Sequence, residues 1–450
     1  MSANPRLVHR FNADIERVSR EGNRLTIDKK NWRPLAFTVA TEAHGDAILA
    51  LRDTGATRAE LERLAGGTRA VDYYLERFAR GRLLAWDLVD DAGALGRLES
   101  LANGYAPRLG AAPDGDLVLC RFAYLRWMEG EAVLESGLAP ARLRLTPAGL
   151  AALSACLASP GPARGNALAE TLWRLGFLDV AGREESEARR TWEFQDLMMH
   201  EASRSSRDAV AVGATYRFVG KFPAPPAIKP AMAGERIALP AVDVERVRQG
   251  SDPVDAVQAR RLSIRSYSEQ PIPLARLSEF LWRVCRTTKH IPDKRQDLLA
   301  RGYPAGGSIN ELEFYVAVRR CDGLGPGVHH YDSHRHELVT LVGSDRIAAK
   351  IVDRSGQAMG LDAAAQKPDL TIVIASRLPR LAWKYEGMAY RASLMNAGVV
   401  FELMYLVATD MGLAPCANGS GDSRLLQQAT GLDPFEEVAI AEFCLSLPAA

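Results

Sequence analysis

A proline-dense stretch at residues 222–230, with the sequence FPAPPAIKP, constrains the folding of this chain more than any other feature. Each proline fixes its own φ angle and lacks a backbone donor, so this stretch cannot form a helix interior or a central strand. A chain of 450 residues corresponds to two or three domains of typical size. We therefore predict a domain boundary here, with a stiff linker over residues 221–250 and a C-terminal domain over residues 251–450.

Two small modules are predicted before this linker. Residues 57–60 (TRAE) form a capping box that begins a helix, and apolar residues continue along one face to Phe78. An alternating stretch follows from Leu83. Helices followed by a β-hairpin are typical of a winged helix, which we predict for residues 1–105. A second winged-helix-like or docking module is predicted for residues 116–220.

The charge balance argues against nucleic acid and membranes as partners. The chain has 56 Lys and Arg against 55 Asp and Glu, a net charge of +1. No overall field therefore directs it to DNA or to an anionic membrane. The candidate DNA-reading helix from Arg58 places Glu60 and Glu62 beside its arginines. The most apolar helix candidate, residues 397–411, carries two acidic residues and is too short to span a bilayer.

Cysteine spacing and the N-terminal residues predict a cytoplasmic protein. The six cysteines are far apart and include no C-x-x-C pair, which is typical of thiols in a reducing compartment. Residues 1–20 are polar and charged and lack the apolar core of a signal peptide.

Half of the eight histidines lie within residues 329–336. The stretch around them alternates like a hairpin with a turn at Asp332 and Ser333. No nearby cysteine and no H-E-x-x-H helix supports a catalytic metal centre. We interpret these residues as a surface hairpin and predict no metal site.

Two segments of the C-terminal half are suited to hold an anionic or flat ligand. Arg261, Ser263 and Arg265 place two cations and a hydroxyl close together, which suits a phosphate dianion. Gly306 and Gly307 precede an apolar strand, and a glycine pair allows backbone amides to approach a ligand closely. A solvated helix end and an ordinary loop are the alternatives for these two segments.

Two further segments flank a long apolar helix. Lys384 and Tyr385 lie in an aromatic stretch before it, where a lowered pKa would let one of the pair serve as a general base. The alternative is an amphipathic pair that covers the start of a buried helix. Gly412 suits the end of that helix, with backbone amides exposed behind it, and helix termination alone is the alternative there.

In sequence and order these segments resemble the flavin-dependent nitroreductase superfamily and, within it, the SagB/ThcOx-type azoline dehydrogenases. The resemblance extends over residues 254–447 and, more loosely, over residues 121–126, 135–136 and 192–197. It implies an α+β fold in which winged-helix-like modules precede a nitroreductase domain, a mixed or antiparallel sheet flanked by helices.

The resemblance implies FMN as the cofactor and a specific set of site residues. In that family a basic segment holds the flavin phosphate, a proline–glycine loop lies against the flavin ring, and a Gly-Leu-Gly-like loop follows the long helix. The implied FMN-binding residues are Arg261, Ser263, Arg265, Pro304, Ala305, Gly306, Gly307, Asn310, Gly412, Leu413 and Ala414. Ala305 and Ala414 replace a serine and a glycine of the family pattern. The catalytic Lys-Tyr pair of azoline dehydrogenases matches Lys384 and Tyr385.

The implied activity is FMN-dependent oxidation of thiazoline or oxazoline rings in a ribosomally made peptide to thiazole or oxazole, with molecular oxygen as electron acceptor. The implied partners are a second copy of the chain in a homodimer, the leader region of an azoline-containing precursor peptide, and a cyclodehydratase. Three alternatives stay open. They are a flavin oxidoreductase acting on a carrier-bound or free small molecule, a leader-peptide-binding module with an inactive flavin domain, and a DNA-binding regulator.

Overall fold

The chain divides into two compact units, Met1–Ala211 and Val212–Ala450. The structure, a computed structural model, describes residues 5–162, 166–205, 207–361 and 366–450. The predicted modules and the predicted C-terminal domain include a few positions outside the described residues. These are 1–4, 163–165, 206 and 362–365. The division between the units falls before the proline-dense stretch, which belongs to the second unit.

The described part of the first unit combines short strands with short helices. Its strands are β1 (Arg6–Phe11), β2 (Ile15–Glu21), β3 (Arg24–Lys29), β4 (Leu35–Thr38), β5 (Ala56–Thr57), β6 (Leu84–Val89), β7 (Ala94–Ser100), β8 (Asp116–Leu119), β9 (Ala123–Met128), β10 (Glu131–Ser136), β11 (Ala141–Leu145), β12 (Gly161–Pro162) and β13 (Leu178–Val180). Its helices are α1 (Glu42–Asp53), α2 (Arg58–Ala65), α3 (Thr68–Arg80), α4 (Pro147–Ala158), α5 (Ala167–Arg174), α6 (Glu187–Arg190) and α7 (Phe194–Ala202).

One antiparallel sheet joins the two modules predicted in this unit. Its strand order is β5-β1-β6-β7-β11-β10-β9, so strands from both modules pair directly where β7 meets β11. Trp86, Leu98 and Leu143 are buried in a core that both share. The capping box predicted at residues 57–60 is present at the start of α2. The winged-helix assignment of residues 1–105 stays a prediction.

The described part of the second unit is built around one larger sheet. Its strands are β14 (Glu235–Ala238), β15 (Thr287–Ile291), β16 (Leu298–Arg301), β17 (Leu312–Val318), β18 (Gly327–Asp332), β19 (Glu337–Thr340), β20 (Leu370–Ser376), β21 (Ala414–Asn418) and β22 (Val438–Ser446). Its helices are α8 (Val244–Gly250), α9 (Val254–Arg260), α10 (Leu274–Val284), α11 (Asp345–Ala358), α12 (Leu378–Lys384), α13 (Ala389–Asp410) and α14 (Ser423–Thr430), and Gly306–Ser308 form a short 3-10 helix.

This arrangement confirms the predicted α+β fold. The seven strands follow the order β14-β19-β18-β17-β20-β22-β21, and each pairing within the sheet is antiparallel. Every residue of β17 and β20 is buried, which their largely apolar sequences favour. Helix α13 buries Val400, Met404 and Ala408 in the same core.

The linker predicted for residues 221–250 requires correction. Trp383 Nε1 donates to Phe222 O (3.1 Å), and the guanidinium of Arg380 donates to Pro225 O (2.8 Å). Arg377 binds Pro226 O at 2.9 Å, and β14 and α8 follow within the same range. Prolines lack donors but keep their carbonyl acceptors, and side chains at α12 satisfy them. The proline stretch is therefore part of the second unit.

The expected length of the long apolar helix is also wrong. Helix α13 begins at Ala389 instead of Ala397 and has 22 residues. Among the described residues it is the one helix that by length and composition alone is able to cross a membrane. That is weak evidence, because the core helices of water-soluble proteins meet the same criterion.

Candidate functional site

Lys384 and Tyr385 lie at the end of α12, directly against residues 304–307, which we name the glycine loop. The Lys384 ammonium donates to the carbonyl oxygen of Gly307 at 3.3 Å. Gly307 has a φ of +59°, and a Cβ added there would clash with both Lys384 Nζ and the Tyr385 hydroxyl. The fold therefore brings together two segments that lie far apart in sequence, and a glycine with positive φ allows this close approach.

Buried polar residues on α13 hold this loop in place. The backbone amide of Gly306 donates to Asn396 Oδ1 at 3.0 Å, and Asn396 Nδ2 donates to Glu311 Oε2 at 3.0 Å. Ser393 donates to the same carboxylate at 2.9 Å. Burial raises the pKa of Glu311, although these hydrogen bonds oppose the shift. The glycine loop is thus fixed to α13 through one shared carboxyl group.

Asn310, an implied FMN ligand, faces inward in this structure. It is buried, and its Nδ2 donates to Leu299 O on β16. Its Oδ1 is also buried and has no hydrogen-bond partner among the described residues. The part of Asn310 that is available to a ligand is therefore this acceptor oxygen.

Residues 261–265, which we name the basic segment, lie beside β21 and the C-terminal half of α13. The amide of Ile264 donates to Pro415 O at 2.9 Å. The hydroxyls of Ser263 and Tyr405 are 2.8 Å apart, and Tyr405 Oη accepts from Ala417 N at 2.8 Å. Main-chain and side-chain hydrogen bonds therefore fix this segment against α13 and β21, which lie about 140–150 residues further along the chain.

The two arginines of this segment present free positive charge. Arg261 stacks on the ring of Tyr405, with its guanidinium carbon 5.2 Å from the ring centre. Arg265 lies near Cys416, whose pKa is raised by burial against the opposing effect of this arginine. Neither arginine forms an ion pair with a carboxylate in the part of the chain that the structure describes. Two guanidinium groups and a hydroxyl are donors that fit a phosphate dianion.

The residues at 412–414 serve mainly to end α13. Gly412 has a φ of +63°, and the amide of Leu413 donates to Ala408 O at 2.8 Å. Leu413 and Ala414 are buried, and Ala414 begins β21. Helix termination is observed, and contact of these residues with a cofactor stays a prediction.

The glycine loop and the basic segment lie along one helix. Asn396 contacts the loop and Tyr405 contacts the basic segment. The nine residues that separate them correspond to a rise of about 13.5 Å along α13. An elongated ligand with a flat end and an anionic end suits this spacing of the two clusters.

The histidine stretch at residues 329–336 forms a hairpin, but its placement on the surface is wrong. His329 and His330 are buried because β18 lies between β17 and β19. His329 Nδ1 lies 3.1 Å from Thr340 Oγ1, and His330 Nε2 lies 3.2 Å from Glu313 Oε2. Within the described ranges, no group of three or more His, Cys, Asp or Glu is arranged to hold a metal ion.

Sequence reasoning missed Arg380, which links α12 to the proline stretch and to the residues just before β16 and just after the glycine loop. Its side chain is fully buried and donates to the carbonyl oxygens of Pro225 (2.8 Å), Asp297 (3.0 Å) and Ile309 (2.9 Å). Burial lowers its pKa to about 10. Since all three acceptors are main-chain atoms, no residue type in the sequence marks them as its partners.

Two family models match separate segments of the chain. The model described as "Nitroreductase family" matches residues 259–444, the segment that carries the glycine loop, the Lys-Tyr pair and most of α13. This segment belongs to the nitroreductase family. The model described as "Cyanobactin oxidase ThcOx" matches residues 117–209 of the first unit. Together the two matches confirm the resemblance to SagB/ThcOx-type members of the superfamily.

Two relatives match parts of the chain. A nitroreductase-like protein of Methanocaldococcus jannaschii, MJ1384, is 27% identical over 195 residues, 42% of this chain and 86% of that protein. The trifolitoxin-processing protein TfxB of Rhizobium leguminosarum bv. trifolii is 28% identical over 149 residues, 32% of this chain. The aligned region spans only 39% of TfxB.

Two solved structures align with about half of the chain. A nitroreductase-like protein of Ralstonia eutropha JMP134 aligns with 51% of this chain and 100% of its own, with 22% identity and a TM-score of 0.38. A chain of the Escherichia coli microcin synthetase McbBCD complex with truncated pro-MccB17 aligns with 48% of this chain and 75% of its own, with 15% identity and a TM-score of 0.35.

Proposed function

We propose that this protein is an FMN-dependent dehydrogenase that oxidises thiazoline or oxazoline rings of a ribosomally made peptide to thiazole or oxazole. The observation that carries the proposal is the contact of Lys384 and Tyr385 with Gly307 inside a nitroreductase-family segment. The ThcOx match in the first unit and the similarity to a trifolitoxin-processing protein support a peptide substrate.

The reaction requires a proton acceptor beside a hydride acceptor. FMN, when bound, would supply the hydride acceptor, and molecular oxygen would be the final electron acceptor. In its deprotonated form Tyr385 takes the ring proton on its hydroxyl oxygen, and the Lys384 ammonium stabilises the negative charge beside it. Because both side chains approach Gly307, we assign them as one proton-handling pair. Aromatisation of the product ring favours the forward direction.

The described residues fit FMN at both ends of the site. Arg261, Ser263 and Arg265 would hold the phosphate, since both guanidinium groups lack a carboxylate partner in the described ranges. Residues 304–307 would lie against the flavin ring, and Gly307 would keep this loop close to the catalytic pair. Asn310 would contribute its unpaired acceptor oxygen.

Partners and compartment belong to the same proposal. One stretch of α13 exposes Tyr390, Leu394, Met395 and Val399, which supports a second copy of the chain covering it in a homodimer. We further propose that the first unit binds the leader of the precursor peptide, with a cyclodehydratase as a partner in the cytoplasm. When the leader is bound, the azoline ring of the same peptide is present at a higher local concentration near the catalytic pair, even if the ring itself binds weakly.

A spectrum and a mass measurement test the proposed function. The purified protein is expected to show flavin absorption, release FMN in denaturant and remove two hydrogens per ring from an azoline peptide without NAD(P)H. Reduction of a small molecule that depends on NAD(P)H, without azoline oxidation, would favour a nitroreductase-type activity instead. A protein that takes up no FMN would overturn the proposal.

Replacing Gly307 by Ala is expected to lower turnover by at least about tenfold while FMN stays bound. The added methyl group clashes with Lys384 Nζ and the Tyr385 hydroxyl, and the φ of +59° adds about 1 kcal/mol of backbone strain. Gly343→Ala, in the turn before α11, is the matched control, because this glycine has a similar φ of +71° and open space around an added Cβ. Steady-state rates and the visible spectrum measure both effects. Equal rates for the two variants would show that the pair does not depend on this close approach.

A further inference from the structure

A short segment of the second unit, residues 213–217, runs beside the end of α12, and we name it the clasp. The amide of Gly213 donates to Glu386 O at 3.0 Å, and the amide of Glu386 donates back to Gly213 O at 2.8 Å. The amide of Tyr216 donates to Lys384 O at 3.1 Å. The clasp therefore holds the main chain on both sides of Tyr385, at Lys384 and at Glu386.

Side chains strengthen this contact. Thr215 Oγ1 donates to Glu386 Oε2 at 2.9 Å, and Arg217 lies 3.6 Å from the other oxygen of the same carboxylate. Further along the chain, side chains at α12 bind the carbonyls of the proline stretch. The segment from the clasp to the proline stretch is thus tied to α12 at both ends.

The ring of Tyr216 lies within cation–π range of the ammonium of Lys384, which also lies 5.3 Å from the ring centre of Tyr385. Lys384 Nζ lies 5.8 Å from the ring centre of Tyr216, and the guanidinium carbon of Arg295 lies 4.7 Å from it. The ring meets Trp383 edge-on at 6.1 Å. Tyr216 has a φ of +53°, a left-handed conformation that a bulky residue keeps only where its surroundings enforce it. Both the backbone and the ring of this residue are therefore fixed on Lys384.

We propose that the clasp positions the Lys-Tyr pair and that Tyr216 is the positioning residue for Lys384. Its amide fixes the Lys384 carbonyl, and its ring holds the ammonium near Gly307 through a cation–π contact. The proposal rests on the proposed function, because the group that is held is the one assigned to proton handling. The clasp lies between residue 209, where the ThcOx match ends, and residue 259, where the nitroreductase match begins.

Two variants of the full-length protein test this role. Tyr216→Ala is expected to lower kcat about fivefold, the size of a half-exposed cation–π contact, with KM and FMN occupancy unchanged. Tyr216→Phe keeps the ring and should retain the wild-type kcat, since no hydrogen bond of the Tyr216 hydroxyl enters the proposal. Both variants keep the backbone amide, so thermal unfolding should occur at a similar temperature.

A second readout does not depend on turnover. Acylation of lysines, followed by mass spectrometry, compares the labelling rate of Lys384 with that of exposed Lys350 in the same sample. We expect faster labelling of Lys384 in Tyr216→Ala and no change in Tyr216→Phe, because removal of the ring uncovers the ammonium.

The outcomes separate this proposal from the proposed function. If Lys384→Ala retains full turnover, the catalytic assignment fails, whatever Tyr216 does. If Lys384→Ala is inactive while Tyr216→Ala keeps the wild-type kcat and labelling rate, the positioning role is overturned and the proposed function stands. An equal loss of kcat in Tyr216→Phe and Tyr216→Ala would also overturn it, because the hydroxyl and not the ring would then be required.

Discussion

Lys384→Ala and Tyr385→Phe are each expected to reduce azoline oxidation by about a thousandfold, while the protein keeps its flavin. The magnitude follows from general acid–base catalysis, which contributes about 10²–10⁴-fold. Lys384 and Tyr385 approach the same glycine, so removing either one leaves the other without its partner. Product formed per minute, measured by mass spectrometry, gives the rate, and visible absorption gives the flavin content.

Two further variants separate proton transfer from charge. Lys384→Arg keeps the positive charge but cannot release a proton near neutral pH. Activity in Lys384→Arg would assign the lysine to charge stabilisation, and inactivity would assign it to proton transfer. Lys350→Ala, at an exposed position of α11, is the control for loss of a lysine. Wild-type turnover in both Lys384→Ala and Tyr385→Phe would refute the catalytic assignment.

The features that the sequence predicts well are local. A run of apolar residues makes β17 a buried strand, and a capping box at residues 57–60 begins α2. In both cases the residues that decide the outcome lie next to one another in the chain. The α+β fold of the second unit was implied instead by the family resemblance, which depends on the order of motifs along the chain.

The features that the sequence does not predict depend on contacts between distant residues. The proline stretch reads as a linker because its missing donors are visible in the sequence, whereas the arginines that bind its carbonyls lie about 150 residues away. His330 reads as exposed because alternation cannot tell a central strand from an edge strand. Tyr216 contacts Lys384 through a loop that no periodicity marks. Polar Ser393 and Asn396 on the largely apolar α13 were an available signal for the site beneath the glycine loop.

Replacing Arg261 and Arg265 together by Ala is expected to weaken FMN binding at least about a hundredfold, and each single replacement about tenfold. A hydrogen bond to a charged group contributes about 1.5–3 kcal/mol, and about 1.4 kcal/mol corresponds to a tenfold change in affinity. Fluorescence titration of the flavin-free protein with FMN measures the dissociation constant.

Riboflavin and a neighbouring arginine supply matched controls for this experiment. Riboflavin has the same ring and ribityl chain but no phosphate, so its affinity should be equal in the wild type and the double variant. Arg260→Ala removes a cation from the same segment, but Arg260 forms an ion pair with Asp252 and should affect neither ligand. An equal loss of riboflavin and FMN affinity would mean that Arg261 and Arg265 only support the fold. Unchanged FMN affinity would place the phosphate elsewhere. A loss confined to FMN in the double variant would locate the phosphate beside β21 and the ring at the opposite end of the site, near Gly307 and the Lys-Tyr pair.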